Sequence, residues 1–204
     1  MSKFEMAFND IVKAKIVPAI GRGDLVLIGG LAKLGKSPLA VALAAELERK
    51  GFDATVVSLD RWILSSSERM KPGVENRFDL QNVLMTLSPW LKQGRALAVT
   101  TPDYDRITRT RRLNGASLTL DVDAVLILEG VPALLLPIET RRKVYRIYVT
   151  GDETVRRDRV IDDLLARGIE SRAAAEGIYR ERQSDEAPRI KEGAANADYI
   201  VELG

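Results

Sequence analysis

Short apolar runs alternate along the chain with stretches of helical periodicity, and this alternation predicts the elements. In residues 2–20, Phe4, Phe8, Ile11, Val12 and Ile16 recur near helical spacing, which predicts an amphipathic helix. Gly21-Arg22-Gly23-Asp24 breaks it. The run Leu25-Val26-Leu27-Ile28 predicts a strand over 24–29, and the Ala/Leu-rich stretch beyond it a helix from about Ser37 to Lys50, closed by Gly51. Ala54 to Leu59 reads as a second buried strand ending at Asp60. Residues 61–78 are polar and irregular, with Lys71-Pro72-Gly73 as a turn signal. A helix over about Leu80 to Lys92 follows, interrupted or bent near Pro89.

Ala96 to Thr100 reads as a strand, and the charged stretch 106–117 carries a turn signal at Asn114-Gly115. Leu118-Thr119-Leu120 can pair back on its neighbour. Ala124 to Leu128 is a buried strand ending in Glu129-Gly130, and Val144 to Val149 another. Residues 152–167 and about 171–183 read as helices, and Tyr199-Ile200-Val201 as a short last strand. Strands alternating with helices predict an α/β fold, a parallel sheet with helices on both faces. The 204 residues suit a single domain, 1–204, with an N-terminal helix over 1–20 and a small helical lid at about 152–170.

Composition narrows the chemistry. There is no cysteine, which excludes disulfides, thiolate catalysis and zinc–thiolate sites. Histidine is absent too, so a general base near neutral pH must be a carboxylate or, failing that, a lysine or tyrosine. The net charge is +2 and aromatics are 5%, which argues against nucleic acid as a partner despite local arginine clusters. No apolar run approaches the ~20 residues that span a bilayer, and Met1 to Asp10 lacks the apolar core of a signal peptide. The expectation is a cytoplasmic protein with no membrane partner and a small-molecule substrate; a homo-oligomer is compatible with all of this.

Between the first strand and its helix lie Gly30-Leu31-Ala32-Lys33-Leu34-Gly35-Lys36-Ser37, a complete G-x-x-x-x-G-K-[ST] phosphate-binding loop in strand–loop–helix context. Glycines let the backbone wrap closely around an anion, N–H groups point inward, and the helix aims its positive end at the same place. Lys36 is expected to reach the β- and γ-phosphates of ATP, with the Ser37 hydroxyl on Mg²⁺. Pro38 follows in the first helical turn, where a missing N–H costs little. The nucleotide contacts are therefore expected over residues 30–38.

Ligands of open parallel sheets bind beyond the C-terminal strand ends. Glu129 at such an end is a candidate second organiser of Mg²⁺, and Asp60 a candidate acceptor of a hydroxyl proton; strand- or turn-capping acids are the structural rivals. Arg106, Arg109, Arg111 and Arg112 crowd one segment, and guanidinium groups suit phosphate or carboxylate. Arg156, Arg157, Arg159 and Arg167 lie on a helix that could close over ATP, although Asp158, Asp162 and Asp163 allow an ordinary salt-bridged surface.

From about Leu25 to Val201 the order of elements resembles the uridine kinase and phosphoribulokinase group of P-loop kinases. The resemblance rests on the phosphate loop, Val57-Ser58-Leu59-Asp60-Arg61-Trp62, Arg77-Phe78-Asp79, Tyr104-Asp105 with Thr108 and Arg111, Leu128-Glu129-Gly130, Arg159 to Gly168, and Ala197-Asp198-Tyr199-Ile200-Val201. It implies a P-loop NTPase fold of the nucleoside/nucleotide kinase type. It also implies Asp60 as catalytic base, Asp79 and Tyr104 as acceptor contacts, and lid arginines such as Arg159 and Arg167 on phosphates. Arg109 and Arg111 of the hairpin join the expected acceptor contacts.

Four positions depart from the uridine kinase pattern. Ile63 replaces a substrate-contacting tyrosine, Arg109 a histidine, and Asp162 and Ile169 replace lid arginines. An arginine-rich hairpin suits an acceptor bearing phosphate or carboxylate better than a neutral nucleoside. The expected activity is ATP-dependent phosphorylation of a small metabolite's hydroxyl, the acceptor being a nucleoside or an anionic sugar such as a pentose phosphate. An ATP-binding regulator or NTPase without a metabolite acceptor is the alternative.

Overall fold

The computed structural model describes residues 3–203. Five parallel strands form the central sheet: β1 (Leu25–Gly29), β2 (Ala54–Ser58), β5 (Val125–Glu129), β6 (Val144–Thr150) and β7 (Tyr199–Glu202), in the order β2-β5-β1-β6-β7. Every residue of β1 and β5 is buried, as expected of central strands covered on both faces. Helices α2 (Lys36–Arg49) and α3 (Leu80–Gln93) contribute buried stripes, with Leu39, Leu43 and Leu47 on the first and Val83, Leu87 and Trp90 on the second.

The N-terminal segments Lys3–Ala7, Phe8–Ile16 and Val17–Ala19 run on as one helical stretch, α1, whose middle part is wound as a π-helix. It buries Phe8, Val12 and Ile16, the face that the periodicity marks. The expected start at residue 2 and the side chain of Phe4 lie outside the described residues. Helix α3 is not interrupted at Pro89 but continues to Gln93. Among the described residues no helix is long and apolar enough to cross a membrane.

Outside the sheet, β3 (Leu97–Asp105) and β4 (Thr110–Leu120) form an antiparallel hairpin. Its turn is not at Asn114-Gly115, as the sequence suggests, but at Arg106–Arg109. Asp105 makes that turn, its Oδ1 accepting from the backbone N–H groups of Ile107 at 2.8 Å and Thr108 at 3.1 Å. Gly115 instead sits inside β4 beside the register shift between Thr101 and Asp103. A Cβ there would lie 2.2 Å from the Cβ of Asp103, so the glycine serves close strand approach.

Helices α4 (Glu153–Ala166) and α5 (Arg172–Asp185) form a second hairpin, followed by α6 (Ala187–Glu192). Val160, Ile161, Leu164 and Ala175 give this pair a small core of its own, on which Ile169 packs. Packing thus explains an isoleucine at that position.

The geometry of Gly30 and Gly177 yields opposite expectations. Gly30 has φ +136° and its added Cβ would lie 2.3 Å from the backbone oxygen of Val149, whereas nothing lies within 4 Å of a Cβ at Gly177. Gly30→Ala should lower stability by about 2–4 kcal/mol, and Gly177→Ala in α5 should raise it by roughly 0.5–1 kcal/mol. Urea unfolding measures both, and equal midpoints for the two variants would contradict this geometry.

Candidate active site

Strand order places the site. Ser58 pairs with Glu129 and Glu129 with Ile28, so the ends of β2, β5 and β1 lie side by side. Asp60, Glu129 and the loop leaving β1 therefore converge from three distant stretches of sequence. Beyond these ends lies a cavity of about 470 Å³, walled by the phosphate loop, the residues after β2, the β3–β4 turn and the α4–α5 hairpin.

The loop is folded as its glycines require, with Gly30, Lys33 and Gly35 all at positive φ. Lys33, Gly35, Lys36, Ser37 and Pro38 line the cavity, while the side chains of Leu31 and Leu34 turn into the core. Lys36 is buried, and its Nζ donates to the Leu31 carbonyl at 2.7 Å. Burial lowers its pKa to about 8; Glu129 opposes that shift, while Arg156, Arg106 and Lys33 reinforce it. A buried ammonium satisfied by its own loop's carbonyl is poised to exchange that partner for a stronger anionic acceptor.

Salt bridges tie the loop to the surrounding walls. Lys33 pairs with Asp163 of α4 at 2.5 Å, and Asp163 also takes Arg167 at 2.5 Å. Burial pushes the Asp163 carboxyl up, but the Lys33 hydrogen bond and the Arg167 charge outweigh it and hold its pKa below the ordinary value. Asp60 pairs with Arg106 from the β3–β4 turn. Glu129 is buried at the cavity floor.

Of the remaining sequence-derived candidates, Tyr104, Arg109, Arg159 and Arg167 line the cavity. Asp79 and Arg111 do not. Asp79 caps α3, accepting from the Asn82 N–H at 3.1 Å, and Arg111 donates to it at 2.8 Å and to Glu68 at 2.6 Å. Together they clamp the β-hairpin to the start of α3, behind the cavity wall. Ile63 lines the cavity, and Asp162 is exposed to solvent.

Arg156 turns away from the cavity that Arg159 lines. It is buried, donates to Glu153 at 2.7 and 2.5 Å and to Gln183 at 2.6 Å, and lies 5.3 Å from the Tyr179 ring centroid. It joins α4 to α5. Arg69, Arg77 and Arg182 also line the cavity; Arg77 lies in the Arg77-Phe78-Asp79 segment, and no motif marks the other two. In all, seven arginines and two lysines face three carboxylates, which makes the space strongly electropositive.

No family model and no curated protein matches the chain. Solved structures do. A possible uridine kinase from Bacillus stearothermophilus aligns at 21% identity and TM-score 0.61, over 98% of this chain and 99% of its own. A candidate fructose transport system kinase from Silicibacter sp. TM1040 aligns at 20% and 0.64, over 98% of each chain. D-glycerate 3-kinase from Cryptococcus neoformans aligns at 12% and 0.61, over 98% of this chain and 95% of its own. The chain has the fold of these P-loop kinases.

The role of Arg156 is testable apart from chemistry. Arg156→Leu should cost about 1–3 kcal/mol by removing its charged hydrogen bonds. It should also speed amide hydrogen exchange across α5 while leaving β1 and β5 protected. Unchanged exchange in α5 would contradict the assignment.

Proposed function

We propose that this protein is an ATP- and Mg²⁺-dependent kinase that phosphorylates a hydroxyl group of a small metabolite, a nucleoside or an anionic sugar such as a pentose phosphate. The observation that carries the reading is the convergence of the Gly30–Ser37 loop, Asp60 and Glu129 on one cavity at adjacent strand ends. The kinase fold supports it.

In this reading the N–H groups of residues 30–37 and the Lys36 ammonium hold the donor's phosphates. Asp60 accepts the proton of the acceptor hydroxyl as its oxygen bonds to the terminal phosphorus and the bond to the ADP oxygen breaks. Arg106, paired with Asp60, and Arg159 and Arg167 of the α4 region supply positive charge around the transferring group. Among the described residues no three acidic side chains gather as a cage, and the Ser37 hydroxyl with Glu129 suits a hard cation that brings phosphate oxygens and water. When bound, Mg²⁺ would supply charge neutralisation at the phosphates.

The Asp60–Arg106 pair also favours a second reading, a nucleotide-holding regulator in which that carboxylate stays occupied. Acceptor-dependent ADP release separates the two. A kinase requires acceleration by some member of a panel of nucleosides, pentose phosphates, neutral sugars and sugar acids. With that acceptor, Asp60→Asn should retain ATP binding and lose about 10²–10⁴-fold in turnover; undiminished turnover would remove Asp60 as the base.

The pH dependence of binding tests Lys36. Phosphates beside the ammonium raise its pKa, so ATP binding takes up a proton. Affinity should be greatest below about pH 8 and fall as pH rises through that value, by up to about tenfold per pH unit. Lys36→Ala should weaken binding and remove the fall. A flat wild-type titration above pH 8 would contradict the placement of the phosphates.

A further inference from the structure

The cavity holds a second group of cations that the phosphate loop does not explain. Arg69 follows the turn Ser66–Glu68, Arg77 precedes Phe78, Arg109 lies at the β3–β4 turn and Arg182 on α5, and all four line the same space. Two of the four are held in place. Arg69 donates to the Leu64 carbonyl at 3.0 and 2.8 Å and to the Tyr104 hydroxyl at 3.1 Å. Arg77 pairs with Glu186. The guanidinium groups of Arg109 and the half-buried Arg182 have no hydrogen-bond or ion-pair partner among the described residues.

Gathering like charges away from water is unfavourable unless something answers them. Burial lowers the pKa of Arg182, with Arg167 and Arg69 adding to the effect, and burial followed by Arg182 and Arg69 lowers that of Arg77. A guanidinium does not relieve such stress by losing its proton. The charge remains, and an anionic ligand would balance it. The charges that act on Lys36 are a different set, Glu129, Arg156, Arg106 and Lys33.

We propose that Arg69, Arg77, Arg109 and Arg182, with Tyr104, form the acceptor subsite, and that it selects a small metabolite carrying an anionic group, a phosphate monoester or a carboxylate, over neutral sugars and nucleosides. Guanidinium forks match both oxyanions. The word acceptor rests on the kinase reading above; the anion site itself does not.

Isothermal titration of the full chain without nucleotide tests it, with ribose 5-phosphate, gluconate, ribose and uridine as probes. At least one of the two anions should bind at least about tenfold more tightly than both neutral probes, and which of them does so separates phosphate from carboxylate. Arg182→Gln and Arg109→Gln each remove a cation without a protein partner, so both should fold and reduce that preference several-fold. Binding of neither anion, neutral probes that bind as tightly, or a preference that survives in both variants would overturn the proposal. ADP release from ATP with the bound anion is read separately: its absence would remove the kinase reading and leave the anion site standing.

Discussion

The parallel register of β2, β5 and β1 is the constraint on which the rest of the molecule depends. β1 and β5 are buried along their whole length, so burial on both faces holds them in place, and a polar side chain appears in them only at the end, as Glu129. Pairing Ser58 with Glu129 and Glu129 with Ile28 then brings two acids and a phosphate loop together without any local sequence contact. Close backbone approach fixes the start of the loop, because Gly30 leaves no room for a side chain against Val149.

Around that frame the chain holds positive charge on provisional partners. Lys36 rests on a carbonyl of its own loop, Lys33 and Arg167 share Asp163, and Arg106 covers Asp60. The Leu31 carbonyl is a partner that phosphate oxygens can replace, since charged acceptors form the stronger hydrogen bonds. The Lys33–Asp163 bridge also links the loop to α4, so a ligand that recruits Lys33 would act on the helical hairpin. That hairpin has its own small core and is joined internally by Arg156.

Much of this was legible in the sequence wherever a residue's role depends on its neighbours in the chain. The strands, the phosphate loop and the acids at strand ends follow from local runs and local backbone chemistry. The β-hairpin turn did not, because Asn114-Gly115 carries a strong turn signal while Gly115 is needed for its approach to Asp103, and Asp105 makes the turn instead. Arg156 and Arg159 lie close on one helix, yet a single step around its circumference separates the α5 contact from the cavity. Arg69 and Arg182 were not legible at all, and Arg77 showed only as the residue before Phe78-Asp79, with no role of its own. They come from three segments, and only tertiary folding makes them neighbours.

The measurement that tests the account most directly is a crystal structure with Mg²⁺ and a non-hydrolysable ATP analogue. The account predicts phosphates cradled by residues 30–38, the Lys36 ammonium moved from the Leu31 carbonyl to a phosphate oxygen, and the terminal phosphate facing Asp60 across the cavity. A nucleotide bound elsewhere, or Lys36 still on Leu31 with the analogue in place, would contradict it.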